Sequence, residues 1–177
     1  MAAPESGKGK TAPASPPDGT PTPNAIGLLT TDHRDIAAWF ADYENTDPLP
    51  RKAKLAEKIC VALRVHTQIE DEIFYPASRA ALNSNQESLI EGAVGDHAAT
   101  KALIAEIERM NVGEPLYEAR IRMLRQICIR HAAEEEEALF PACLRTDMDM
   151  AALGARLAAR KIELMRKLTR PGGHPVM

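Results

Sequence analysis

Apolar residues recur at intervals of three and four along most of the chain, in five stretches separated by turn-forming residues. The first opens after Asn24, a residue suited to capping, and sets Ile26, Leu29, His33, Ile36, Ala37 and Phe40 along one helix. Asn45 to Pro50 ends it, and the spacing predicts an extended or folded-back loop over residues 45–54. The second stretch carries Leu55, Ile59, Ala62, Leu63, His66, Glu70 and Ile73, and Pro76 is expected to kink or loosen its last turns. Ser84 to Glu87 has the form of a capping box and predicts a third helix through Ile90, Val94, His97, Leu103, Ile104 and Ile107. Gly113-Glu114-Pro115 reads as the turn into a fourth helix with Met123, Leu124, Ile127, Cys128, His131, Glu135 and Leu139. A fifth helix is predicted over residues 149–168, with an apolar stripe of Leu153, Leu157, Ile162, Leu164, Met165 and Leu168.

These elements predict an all-α protein, a four-helix bundle with an additional C-terminal helix. Residues 1–23 are mostly Ala, Pro, Gly, Ser, Thr and Lys without a hydrophobic period, and are expected to form a flexible tail. The ending after the fifth helix, Pro171 to Pro175, is expected to fray. Composition agrees with helices: aromatic residues are only 4% while Ala, Leu, Arg and Glu abound. With a net charge of −3 and cations spread along the chain, nothing points to nucleic acid as a partner. No apolar run is long enough to span a bilayer and no signal-peptide core is present, so a cytoplasmic protein without membrane partners is expected. Cys60, Cys128 and Cys143 are odd in number and widely spaced, which suits free thiols in a reducing compartment.

The chain also repeats itself. His66 to Ala77 reads HTQIEDEIFYPA and His131 to Ala142 reads HAAEEEEALFPA, so both fit H-x-x-x-E-(D/E)-E-x-x-(Y/F)-P-A without a gap. Upstream, Asp32-His33 matches Asp96-His97. Each half is therefore a helical hairpin with one histidine on its first helix and His-x-x-x-Glu on its second. Residues four apart share a helix face, so His66 joins Glu70 and His131 joins Glu135 on faces that are otherwise apolar. His33 and His97 add an imidazole from each remaining helix. Two unpaired carboxylates facing a dry core would cost several kcal/mol each, and a bound cation removes that cost. Six donors are too many for one four-coordinate zinc and suit two ions, with each glutamate free to bridge; iron is the expected metal for a bundle-core pair. The neighbours Glu134, Glu136 and Glu137 are assigned to the surface or to a supporting layer.

The order His33 … His66-x-x-x-Glu70 … His97 … His131-x-x-x-Glu135 resembles the hemerythrin-like family with its His-His-Glu cation-binding motifs, over residues 24–145. The resemblance implies an up-down-up-down bundle around two iron ions joined by a bridging oxo or hydroxo group. It makes His33, His66, His97 and His131 terminal ligands and Glu70 and Glu135 the bridges. Oxygen-carrying members have a further histidine four residues after the third-helix ligand, where this chain has Lys101, and they end in His-x-x-x-x-Asp, where it has Glu135 at four and Glu136 at five. The chain looks more like the bacterial branch with four histidines and two glutamates. That implies binding of, or reaction with, hydrogen peroxide, nitric oxide or dioxygen, as a di-iron oxidoreductase of catalase or peroxidase type. Non-catalytic oxygen or iron binding for sensing, storage or delivery is the alternative.

Other residues carry smaller expectations. Tyr75 falls opposite His66 on an ideal helix and is expected to pack away from the site, and Tyr43 lies too far along its helix to ligate. Cys128 is expected to be a buried small hydrophobe. The fifth helix should cover the bundle's flank or mediate self-association, and His174 should not be a ligand.

Overall fold

A computed structural model describes residues 24–168, and within them every regular element is helical. The expected tail at 1–23 and the end of the chain with His174 lie outside the described residues. Helix α1 (Ala25–Glu44) starts where the sequence placed it, with Asn24 Oδ1 accepting the Gly27 N–H at 2.7 Å. Helix α2 runs Leu49–Ile69, widens into a π turn at Glu70–Phe74 and continues as Tyr75–Ala81. Helix α3 is Glu87–Ile107. Helix α4 runs Pro115–Glu134, widens at Glu135–Leu139 and continues as Phe140–Leu144. Helix α5 is Met150–Leu168.

Two local expectations need correction, and the loosening expected at Pro76 takes the form of a π turn. The loop expected over residues 45–54 is confined to the few residues before Leu49, because Pro50 sits in the first turn of α2, where no N–H is needed. The capping box at Ser84 is absent; Asn83 caps a 3₁₀ turn, Ser84–Gln86, by accepting the Asn85 N–H at 3.1 Å. Pro76 and Pro141 do not end their helices. Each follows a π turn, in which Tyr75 N–H bonds back to Glu70 O and Phe140 N–H to Glu135 O. The wider ring relieves the clash between a proline and the preceding turn, and the helix resumes beyond it.

Helix α1 packs on α2 and α4, and α3 packs on the same two, so the bundle is a square of antiparallel neighbours. Its apolar interior is split into two layers. One contains Ile36, Phe40, Ile59, Leu63, Ile104 and Leu124. The other contains Leu29, Ile69, Phe74, Ile90, Leu139 and Phe140, and takes Leu153, Leu157 and Leu164 from α5. Helix α5 thereby covers the flank formed by α1 and α2, as one sequence expectation had it. Val94, placed by its spacing on the apolar stripe of the third helix, is instead 41% exposed. No helix among the described residues is long and apolar enough to cross a membrane.

The turn between α3 and α4 depends on Gly113, whose φ of 95° is costly for any residue with a Cβ. A Cβ there would also meet Leu49 Cδ2 at 3.1 Å. Gly113→Ala is expected to lower stability by about 1 kcal/mol or more, read as a reduced urea midpoint with an unchanged slope.

Candidate metal centre

Between the two apolar layers lies a polar one. Each bundle helix contributes one histidine to it, and α2 and α4 each contribute a glutamate from the first residue of the π turn. His33, His66, His97 and His131 are all buried, and Glu70 and Glu135 are 0% and 1% exposed. The imidazoles meet in pairs across the bundle: His33 Nε2 is 3.2 Å from His66 Nε2, and His97 Nε2 is 3.4 Å from His131 Nε2. The glutamates cross-link the pairs. Glu70 Oε2 lies 3.1 Å from Nε2 of His66, on its own helix, and 3.3 Å from Nε2 of His97. Glu135 Oε2 lies 3.5 Å from His131 Nε2 and 3.4 Å from His33 Nε2. Donor atoms of His33, His66, Glu70, His131 and Glu135 fall within 4.8 Å of one another, a grouping that could hold a metal ion.

The outer ring nitrogens show how two of the histidines are held. His33 Nδ1 donates to Glu136 Oε1 at 2.8 Å, and His97 Nδ1 donates to Asp71 Oδ1 at 2.7 Å. A carboxylate only accepts, so Nδ1 carries the proton in both rings and the Nε2 lone pair points inward, the tautomer a metal needs. Both acids directly follow a buried glutamate, one in each copy of the repeat. Asp71 is in turn paired with Lys101. Asp32 Oδ2 sits 3.7 Å from His66 Nδ1, and Asp32 is held by Lys161 of α5. Its counterpart Asp96 pairs with Arg130.

The centre lacks balance as it stands. His66 Nδ1, His131 Nδ1, both oxygens of Glu70 and Glu135 Oε2 are buried with no hydrogen-bond partner. Burial, then the nearby charge of Glu135, drives the Glu70 carboxyl well above its ordinary range. Burial opposes ionisation of Glu135 too, but His33 and the other imidazoles outweigh it and hold that carboxyl low, at about 2. Burial pushes His131 down to about 4 and lowers His66. For His33, burial is outweighed by Glu135 and Glu136, so its value rises. Neighbouring groups thus pull against one another, as the donors of a cation site do when only side chains balance them.

Tyr75 overturns an expectation. It does not pack away from the site: its hydroxyl donates to Glu135 Oε1 at 2.8 Å and lies 3.2 Å from His97 Nε2. The π turn between His66 and Tyr75 takes up about one extra residue, roughly 100° of rotation, and swings the ring inward. The matching residue of the second half, Phe140, stacks on His33 with ring planes 3° apart. The aromatic position shared by both repeats, just before the proline, was the available signal. Tyr43 behaves as expected, donating to Glu118 at 3.1 Å. Cys128 lines a small apolar cavity beside the histidines, and burial pushes its thiol up to about 12.

The model of the hemerythrin HHE cation-binding domain matches residues 24–143. The chain belongs to this family. Uncharacterized proteins of Mycobacterium tuberculosis and Mycobacterium bovis are each 31% identical over 115 residues, covering 63% of this chain and 68% of theirs. A Nostoc protein described as a DNA nickase is 23% identical over 119 residues, covering 67% of this chain but 33% of its own length. No solved structure matches. The HHE match stops before α5, so Lys161 reaches the domain's Asp32 from outside the shared region.

The raised Glu70 carboxyl has a measurable consequence for the metal-free hemerythrin domain. A group that holds its proton more tightly when folded favours the fold below its unfolded value of 4.5, and that support is lost as pH rises through the folded value. Glu70→Gln copies the protonated acid. In chelator-treated protein it should be more stable than wild type at about pH 8 and equal to it near pH 4. Urea unfolding at the two pH values checks this, and a wild type as stable as the variant at the higher pH contradicts it.

Proposed function

We propose that this hemerythrin-like chain is a non-heme di-iron protein that consumes small oxidants, namely hydrogen peroxide, nitric oxide or dioxygen. In this reading His33, His66, His97 and His131, with Glu70 and Glu135, would hold the two ions. One observation carries it: two glutamates at 0% and 1% exposure, enclosed by four imidazoles, have three carboxylate oxygens without a hydrogen bond. Six nitrogen and oxygen donors exceed what one zinc takes, and their chemistry suits a pair of iron ions. Bound there, the irons would supply electron transfer and a Lewis-acidic position for the oxidant.

The side chains supply the rest. Glu136 and Asp71 fix the ring orientation of His33 and His97. Lys101 stands where the oxygen carriers have a further histidine, and its ammonium pairs with Asp71 instead of adding a donor. That difference favours turnover over reversible carriage. A cavity of about 40 Å³, bordered by Ile36, Phe40, Leu63, Thr100 and Cys128, opens onto the histidines and admits a molecule of only a few atoms. Tyr75, kept protonated by burial, holds a proton at Oη 2.8 Å from Glu135, where an oxygen atom of the bound oxidant can take it. Three free cysteines suit a reducing cytoplasm. The apolar cavity also suits a neutral gas, which favours non-catalytic oxygen binding as the second reading.

Purified protein should contain two irons per chain with the Mössbauer signature of a coupled ferric pair, and should consume peroxide or nitric oxide. Glu70→Ala should lose iron and at least about a hundredfold in turnover. Negligible iron removes the proposal, and stoichiometric, reversible oxygen uptake without turnover selects the second reading.

Tyr75→Phe gives the first half the residue that the second half already has. It should retain full iron content and slow peroxide consumption by about tenfold or more. Unchanged rates would show that the phenol only packs.

A further inference from the structure

The two halves of the bundle repeat each other in sequence but not in their outer walls. Aligning His33 with His97 sets Leu28 and Leu29 opposite Gly92 and Ala93, and aligning His66 with His131 sets Ile69 opposite Glu134. In the first half Leu28, Leu29 and Ile69 are core residues, at 8%, 0% and 0% exposure, and α5 closes over them. Arg160 of α5 also caps Glu72, with Nε 2.7 Å from Oε2. The second half has small or acidic residues at these places and no covering helix among the described residues. A cavity of about 240 Å³ opens there between α3 and α4; Leu89, Gly92, Ala93, Ala138 and Leu139 form its apolar walls, and Ser88, Glu134, Glu137, His131 and Glu135 its polar groups.

We propose that this cavity is the route by which a hydrated divalent cation reaches the centre, with Glu134 and Glu137 as its first carboxylate contacts. The proposal rests on the metal reading above. Glu137, the counterpart of Glu72, makes no ion pair or hydrogen bond among the described residues. Glu134 has only Arg130 nearby, at 3.8 Å, and Arg130 is itself held by Asp96.

Acidic residues at a surface do not by themselves make a route. The inner wall supplies the independent sign. The His131 ring is 94% buried on its 6% exposure, lines the cavity, and leaves Nδ1 without a partner. Glu135, also in the wall, has Oε2 unpartnered. Exposed carboxylates outside and unsatisfied donors inside are thus joined by one space.

Size and polarity separate this space from the apolar cavity. At about 10–15 Å³ for each water, 240 Å³ accommodates a cation with its inner waters, whereas 40 Å³ holds about three waters against apolar walls. A cation would shed its hydration there without replacement. The two openings divide the work: a wide one carrying carboxylates for the ion and a narrow apolar one for the small oxidant.

The test follows uptake of cobalt(II) by the metal-free full chain in stopped flow, read from ligand-field absorbance, with final stoichiometry measured separately. Glu134→Gln/Glu137→Gln removes the carboxylates. Gly92→Leu narrows the space, and its position has no atom within 4 Å of an added Cβ. Asp35→Asn/Asp42→Asn removes the same charge from α1, away from the cavity. The first two variants should load about tenfold or more slowly yet reach the wild-type stoichiometry and spectrum, while the α1 variant loads within about twofold of wild type. Wild-type rates in both cavity variants, with normal stoichiometry, overturn the route and leave the metal reading standing. An α1 variant as slow as the carboxylate variant assigns the effect to net charge and also overturns the route. Failure of the wild type to bind cobalt overturns the route and the metal reading together.

Discussion

Carboxylates enclosed by imidazoles in the middle of an apolar bundle set the terms for everything around them. Each buried anion costs several kcal/mol unless a charge or a full set of hydrogen bonds meets it. Glu70 has neither in full, since both of its oxygens lack hydrogen-bond partners. The apolar layers above and below exclude the water that might otherwise satisfy them. A bound cation would relieve the conflict at the place where the side chains leave it, where the grouped donors could hold a metal ion.

Holding such a centre needs support from outside it. Glu136 and Asp71 do this by the same device in each half, using the acid next to the buried glutamate to fix the ring across the bundle. The π turns place these acids and the glutamates together at one level, and they absorb the two prolines that would otherwise break α2 and α4. A feature that looks like a helix defect is thus what turns Tyr75 toward the centre.

The symmetry of the repeat is broken beside the centre. One half has a phenol where the other has a phenyl ring: Tyr75 donates to Glu135, whereas Phe140 stacks on His33. Helix α5 closes the flank of α1 and α2 and ties Lys161 to Asp32, beside His66. The opposite flank keeps an opening whose lining includes His131 and Glu135. Duplication supplies the donor set, and divergence gives its two faces different surroundings.

The helices, the paired His-x-x-x-Glu motifs and the convergence of His33, His66, His97, His131, Glu70 and Glu135 were legible in the chain because they depend on spacing along ideal helices. The bundle class followed for the same reason. Tyr75 could not be placed that way, since one π turn rotates everything after it and periodicity counts only α turns. The start of α2 at Leu49 and the cap at Asn83 were likewise misread, because proline and asparagine permit several local geometries and packing chooses among them. Which acids support which rings, which flank α5 covers and where the interior opens are relations between distant segments. Sequence sets the residues available for them; only the packed bundle decides which ones meet, because each meeting depends on the level and rotation of helices fixed by their neighbours.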